Sequence, residues 1–210
     1  MSHWDRFQKY FVRYSSIGFS IDISRMAFED SLFTRMAGKI DHAFKAMKDL
    51  EAGAIANPDE NRMVGHYWLR DSKLAPEAVL KKEIDETLDA ALKFAADVHA
   101  GAIKAANGTK FSRVLVVGIG GSALGPQLVA QAITPANPPM SISFFDNTDP
   151  DGMDRVLAEI GSGLATTLTL VISKSGGTKE TRNGMLEAEA AYKRAGLEFS
   201  KHAVAVTGVG

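Results

Sequence analysis

Apolar residues recur at steps of three and four through the first half of the chain and gather into short unbroken runs through the second. Phe33, Met36, Ile40, Phe44 and Met47 make one stripe, which predicts a helix with these residues as its core face, capped by Ser31 or Asp30 and ended by Gly53. The turn Asn57-Pro58-Asp59-Glu60 predicts a second helix over 61–70. Ile84, Leu88, Ala91, Ala95, Val98 and Ala102 keep the helical period after Pro76, and Asn107-Gly108 stops it. Residues 1–110 read as helical.

Further on, 114–117, 168–172 and 203–206 are apolar or β-branched runs of strand length, and 141–145 also reads as a strand. Helical patterns separate them at 124–133, at 154–160 and at 180–194; Pro126 falls in the first turn of the earliest, where proline is tolerated. Alternating strands and helices predict an α/β domain, a parallel sheet covered on both faces. The expected division is a helical N-terminal segment, 1–110, and a sheet domain, 111–210. The chain stops in the loop after the fourth strand, where such a unit continues with a helix. It therefore reads as the front of a longer protein, cut at the edge where open α/β sheets bind ligands.

Composition narrows the partners. Among 210 residues, 24 basic side chains face 25 acidic ones, so no basic surplus points to nucleic acid or to an anionic membrane. No apolar run approaches the roughly 20 residues that span a bilayer, and the first ten residues hold no signal-peptide core. There is no cysteine, which removes disulfides, thiol catalysis and cysteine metal sites and suits a cytoplasmic protein.

Candidate chemistry lies where strands hand over to helices. Ser173-Lys174-Ser175-Gly176-Gly177-Thr178-Lys179-Glu180-Thr181 follows the third run. Glycines admit an anion close to the backbone, hydroxyls add donors, and the next helix presents its unpaired N–H groups. The stretch fits an oxyanion site, phosphate first, with the backbone N–H groups of 175–179 converging on one point. It also fits an ordinary capped turn. Gly118-Ile119-Gly120-Gly121-Ser122-Ala123 has the same layout after the first run and formally matches a dinucleotide fingerprint, with Asp146 as ribose ligand. Asp146 comes 28 residues after Gly118, beyond the usual ~20, which weighs against a nucleotide. Asn147 to Gly152 loosely resembles a calcium loop but opens with Asn and reads better as a turn. His3, His42, His66, His99 and His202 show no metal spacing, so no metal is expected. His66 reads as a packed, hydrogen-bonded residue.

Both glycine loops, with Asp146-Asn147-Thr148-Asp149-Pro150 between them, resemble the phosphoglucose isomerases, built from two sugar-isomerase (SIS) domains. The segment 57–70 resembles that family's helical signature, and Thr207-Gly208-Val209-Gly210 the start of the loop after its fourth strand. The resemblance implies a three-layer, flavodoxin-like SIS domain behind a helical segment. It implies that Ser173, Ser175 and Thr178 give hydroxyls to a sugar phosphate, that Lys174 acts through its backbone N–H, and that Gly121 and Ser122 lie against the sugar. Many members carry Thr-Phe-Thr-Thr where this chain has Ser175-Gly176-Gly177-Thr178, a form also found in the family. The implied reaction interconverts glucose 6-phosphate and fructose 6-phosphate in glycolysis and gluconeogenesis, without a cofactor, in a homodimer. The catalytic base, arginine, histidine and lysine all fall past Gly210, so residues 1–210 alone are expected to be inactive. A non-catalytic SIS domain that senses sugar phosphates is the rival reading; the 57–70 segment and the absence of a helix-turn-helix pattern weigh against it.

Overall fold

The computed structural model describes residues 2–208, so Val209 and Gly210, part of the last family-like segment, lie outside the described residues. The chain packs in two units, Met1–Glu86 and Thr87–Gly210.

In the first unit, α1 (His3–Tyr10) opens with reciprocal caps. The Ser2 hydroxyl accepts the Asp5 N–H, and the Asp5 carboxylate accepts the Ser2 N–H. A hairpin follows, β1 (Phe11–Tyr14) against β2 (Phe19–Asp22), turned at Gly18 with φ 62°. This corrects the all-helical expectation. Phe7, Tyr10, Phe11 and Tyr14 recur at helical steps, but Val12 pairs with Ile21 and Tyr14 with Phe19, which places four β-formers on one face. Arg6 ties down the strand that leaves the hairpin: its guanidinium donates to the Ser24 and Met26 carbonyls and lies over the Phe28 ring.

The striped helix is α2 (Leu32–Glu51). Ser31 holds its N-cap position without capping; its hydroxyl turns to Glu29, and Gly53 follows the end with φ 97°. The helix expected over 61–70 is absent. Arg62 pairs back with Asn57 through its N–H and carbonyl, Asn61 is left-handed at φ 51°, and turns carry the chain onward. Trp68 is buried and donates its indole N–H to the Glu51 carbonyl at 2.9 Å. His66 is exposed and lies against the Tyr67 ring.

The boundary between the units falls inside α3 (Ala78–Ala100), ahead of the expected start of the sheet domain. Val98, near the end of α3, packs with Ala105, Phe111 and Leu168. The second unit then runs β3 (Arg113–Val117), α4 (Gly121–Ile133), β4 (Ser141–Phe145), α5 (Pro150–Ile160), β5 (Thr167–Ile172), α6 (Lys179–Arg194) and β6 (Ala203–Val206). All four strands are parallel, in the order β4-β3-β5-β6. On one face, Leu115, Val117 and Phe145 meet Met153 and Ile160 of α5 and Ala188, Ala191 and Tyr192 of α6. The α3-end cluster lies with Leu170 and Val204, the alternate strand positions, on the other. The α/β architecture is thus the expected one.

Two starts move. α4 begins at Gly121, so Pro126 is its sixth residue and not in its first turn; Gly120, at φ 57°, lets the helix open directly after the strand. α5 begins at Pro150 because Asp149 caps it, accepting the Asp151 and Gly152 N–H groups.

Candidate active site at the sheet's switch point

The connection from β3 leads outward to β4, and the chain then returns past β3 to β5. The strand order therefore reverses between β3 and β5, and ligands of open parallel sheets bind at such a point, outside the carboxyl ends of the strands. The loops that leave those two strands there are the two glycine loops. The first is packed tightly on itself and against the end of β5: a Cβ on Gly118 would stand 2.9 Å from the Ser122 Cβ and 3.3 Å from the Ile172 carbonyl oxygen. Only glycine allows that approach. Gly118 is also stitched to the next strand, its N–H donating to the Phe145 carbonyl at 3.0 Å.

The second loop is held at its start by β6 and the residues after it. The Ser173 N–H donates to the Val206 carbonyl at 3.0 Å, and the Lys174 carbonyl accepts the Gly208 N–H at 3.1 Å. The buried Ser173 hydroxyl donates to Thr178 Oγ1 at 3.0 Å and closes the loop across its mouth. Thr178 stands at the N-cap of α6 yet makes no cap bond with its side chain, whereas Asp149 caps α5. The first ladder bond of α6 runs from Arg182 N–H to Thr178 carbonyl, so the amides of Lys179, Glu180 and Thr181 come before the ladder. The hydroxyl that normally satisfies one of them is engaged by Ser173.

Two of the expected donors are turned inward. Gly176 N–H goes to the Ser173 carbonyl and Gly177 N–H to Ser175 Oγ. The full set of amides over 175–179 therefore does not converge, because the loop's own serines capture its middle. Gly176 takes φ 67° at this bend. Lys174, Ser175, Lys179 and Arg182 are exposed around it, a cationic rim that favours an anion.

Ser173, Lys174, Ser175 and Thr178 thus share one loop, and Gly121 and Ser122 open the helix beside it. Asp146 does not face a ribose site. Its carboxylate accepts Gln127 Nε2–H and Asn147 Nδ2–H, both at 2.7 Å. Asn147 Oδ1 takes the Asp149 N–H, so the calcium-like stretch is a capping turn. Of the histidines, His202 is wholly buried, with Nδ1 against the Thr167 carbonyl at 3.1 Å. The Gln127–Asp146 pair was not foreseen: no motif joins two residues so far apart in sequence.

A parallel sheet with paired glycine and hydroxyl loops at its switch point defines an α/β domain that takes its ligand at the strands' carboxyl edge. The phosphoglucose isomerase family model matches residues 9–209, and the chain belongs to that family. It is 61% identical over 208 residues to the glucose-6-phosphate isomerase of Geobacter sulfurreducens, covering 99% of this chain and 39% of that protein. The chloroplastic glucose-6-phosphate isomerase 1 of Arabidopsis thaliana is 53% identical, over 97% of this chain and 34% of its own length. The crystal structure of a glucose-6-phosphate isomerase from Chlamydia trachomatis superposes with a TM-score of 0.79 at 30% identity, covering 98% of this chain and 40% of that one. The chain spans about two fifths of the length of the relatives it matches.

Proposed function

We propose that this chain is the substrate-gripping front part of a glucose-6-phosphate isomerase. In this reading 1–110, helices with one β-hairpin, is the lead-in, and 111–210 belongs to the first of two SIS domains. The loop around Ser173, Lys174, Ser175 and Thr178 holds the phosphate, and Gly121 and Ser122 line the sugar. The observation that carries this is that both glycine loops leave adjacent parallel strands, β3 and β5, at the switch point, in a chain matched by the family over 9–209.

The chemistry follows from that division. Interconverting an aldose and a ketose moves a proton between adjacent carbons through an enediol, so a base must reach the carbon acid and donors must meet the enediolate oxygen. The phosphate keeps its charge throughout, so the loop grips ground state and transition state alike and orients the sugar. The base and its partners are supplied past Gly210. The complete enzyme is a cytoplasmic homodimer that needs no cofactor.

The test is turnover. The full-length enzyme, made in a host without its own isomerase, is expected to convert fructose 6-phosphate to glucose 6-phosphate in a dehydrogenase-coupled assay. A full-length protein that binds sugar phosphates without turnover would overturn the reading in favour of a sensor.

A further inference from the structure

Pro126 has no N–H, so the Ser122 carbonyl four residues earlier receives no ladder hydrogen bond from it. The first turn of α4, which carries Gly121 and Ser122, is joined to the body of its helix by one bond fewer than usual. At the next residue the helix is anchored sideways. Gln127 Nε2–H donates to Asp146 Oδ2 at 2.7 Å, with Asp146 half-buried directly after β4. The other Asp146 oxygen accepts Asn147 Nδ2–H at 2.7 Å, and Asn147 in turn orients Asp149, the cap of α5. A hydrogen bond to a carboxylate is among the stronger ones, and partial burial shields it from water. The contact thus fastens α4, just past its proline, to the end of a strand whose Phe145 carbonyl also holds Gly118.

We infer that Gln127 and Asp146 form a brace that sets the start of α4, and with it Ser122, against the carboxyl edge of the sheet. They are positioning residues that act through Ser122. This rests on the isomerase reading for its kinetic consequence and on geometry alone for its structural one. Glucose 6-phosphate meets a slackened Ser122 when the brace is cut, and the loss falls on binding more than on chemistry.

In the full-length enzyme, Gln127→Ala is expected to raise KM for glucose 6-phosphate about fivefold to tenfold, with kcat within about twofold. Gln127→Glu sets two carboxylates face to face. Its KM is expected to rise further at pH 8 and to fall back as the pH drops toward the carboxylate range, where a shared proton restores a bond. Gln127→Glu combined with Asp146→Asn reverses the pair: the Asn amide donates to Glu, while its carbonyl oxygen still accepts from Asn147. That double variant is expected to return KM to within about twofold of the parent. Unchanged KM in both single variants, or a double variant no better than Gln127→Glu alone, would overturn the brace. Amide hydrogen exchange over 121–125 reads the same brace without turnover. Gln127→Ala should speed it, and unchanged exchange would also overturn the inference. An inactive parent enzyme would defeat the isomerase reading and leave the exchange result to decide this one.

Discussion

Thr178 and Asp149 occupy the same position, the N-cap of a helix that follows a strand, and use it differently. Asp149 satisfies the amides of α5, while Thr178 receives the Ser173 proton and leaves the start of α6 uncapped by any side chain of its own. As an acceptor from Ser173, Thr178 has its own hydroxyl proton to give to another oxygen. Removing a donor to a phosphate in a partly dry site costs about 1.5–3 kcal/mol. Thr178→Ala in the full-length enzyme is therefore expected to raise KM for glucose 6-phosphate more than tenfold and to change kcat little, as steady-state kinetics would show. Ser175→Ala should act in the same direction and less strongly, because its hydroxyl also accepts the Gly177 N–H.

A second residue-level prediction concerns the core. Tyr192 is fully buried and donates to the Thr167 carbonyl at 2.8 Å, with its oxygen 3.1 Å from Thr169 Oγ1. Burial pushes its phenol from 10.0 up to about 12, with the Thr169 hydrogen bond opposing the shift. The raised value belongs to the folded state, so the unfolded chain loses this proton first as pH climbs. The stabilisation is complete below about pH 10 and is lost as pH rises through about 12. Tyr192→Phe should flatten the fall of stability across that window, measured by urea unfolding at successive pH values. At neutral pH the same substitution should cost about 1 kcal/mol for the lost hydrogen bond.

At the scale of elements, α6 comes close to β3 because Gly184 has no side chain. A Cβ there would stand 2.9 Å from Val117 Cγ1 and 3.6 Å from the Phe145 Cβ. Gly184→Ala should destabilise by about 1–3 kcal/mol through overpacking, despite the better helix propensity of alanine. It should also weaken substrate binding, because the displaced helix carries the phosphate loop at its start; thermal unfolding with ligand titration would read both effects. The strands of the sheet were legible because each is a short segment rich in apolar and β-branched residues, and β6 falls on the expected 203–206. The β1–β2 hairpin was not, because its aromatic residues also satisfy a helical period and only Gly18 marks the turn. The 61–70 segment misled for a related reason: turn chemistry at Asn57 closes the chain on Arg62 before a helix can start. Within the site, both loops announce themselves by glycines and hydroxyls. The bonds that shape them, Ser173 to Thr178 and Gln127 to Asp146, join residues no local pattern connects.

At the scale of the molecule, the proposed function separates grip from chemistry. Residues 1–210 hold two donor loops, and Glu180 is the carboxylate nearest to them in sequence. It stands exposed in the first turn of α6, directly after the Ser173–Thr178 stretch. The chain by itself is expected to show no isomerase activity above background in the coupled assay, while the full-length enzyme does. Turnover by the isolated chain near that of the full-length enzyme would mean that the base lies before Gly210.

The position of β3 has a consequence in time. It is the first strand of the sheet to be synthesised, yet it lies inside the sheet, between β4 and β5. Its glycine loop leaves the ribosome early and stands without an opposite wall until β5 and the Ser173–Thr178 stretch have followed. A ligand stabilises only a state that can hold it. If the proposed phosphate grip holds, a sugar phosphate stabilises a nascent chain that has emerged beyond Thr178 and does nothing for one stalled before it. Over that earlier interval the apolar β3 depends on β4 and on whatever else in the cell shields an unpaired strand edge.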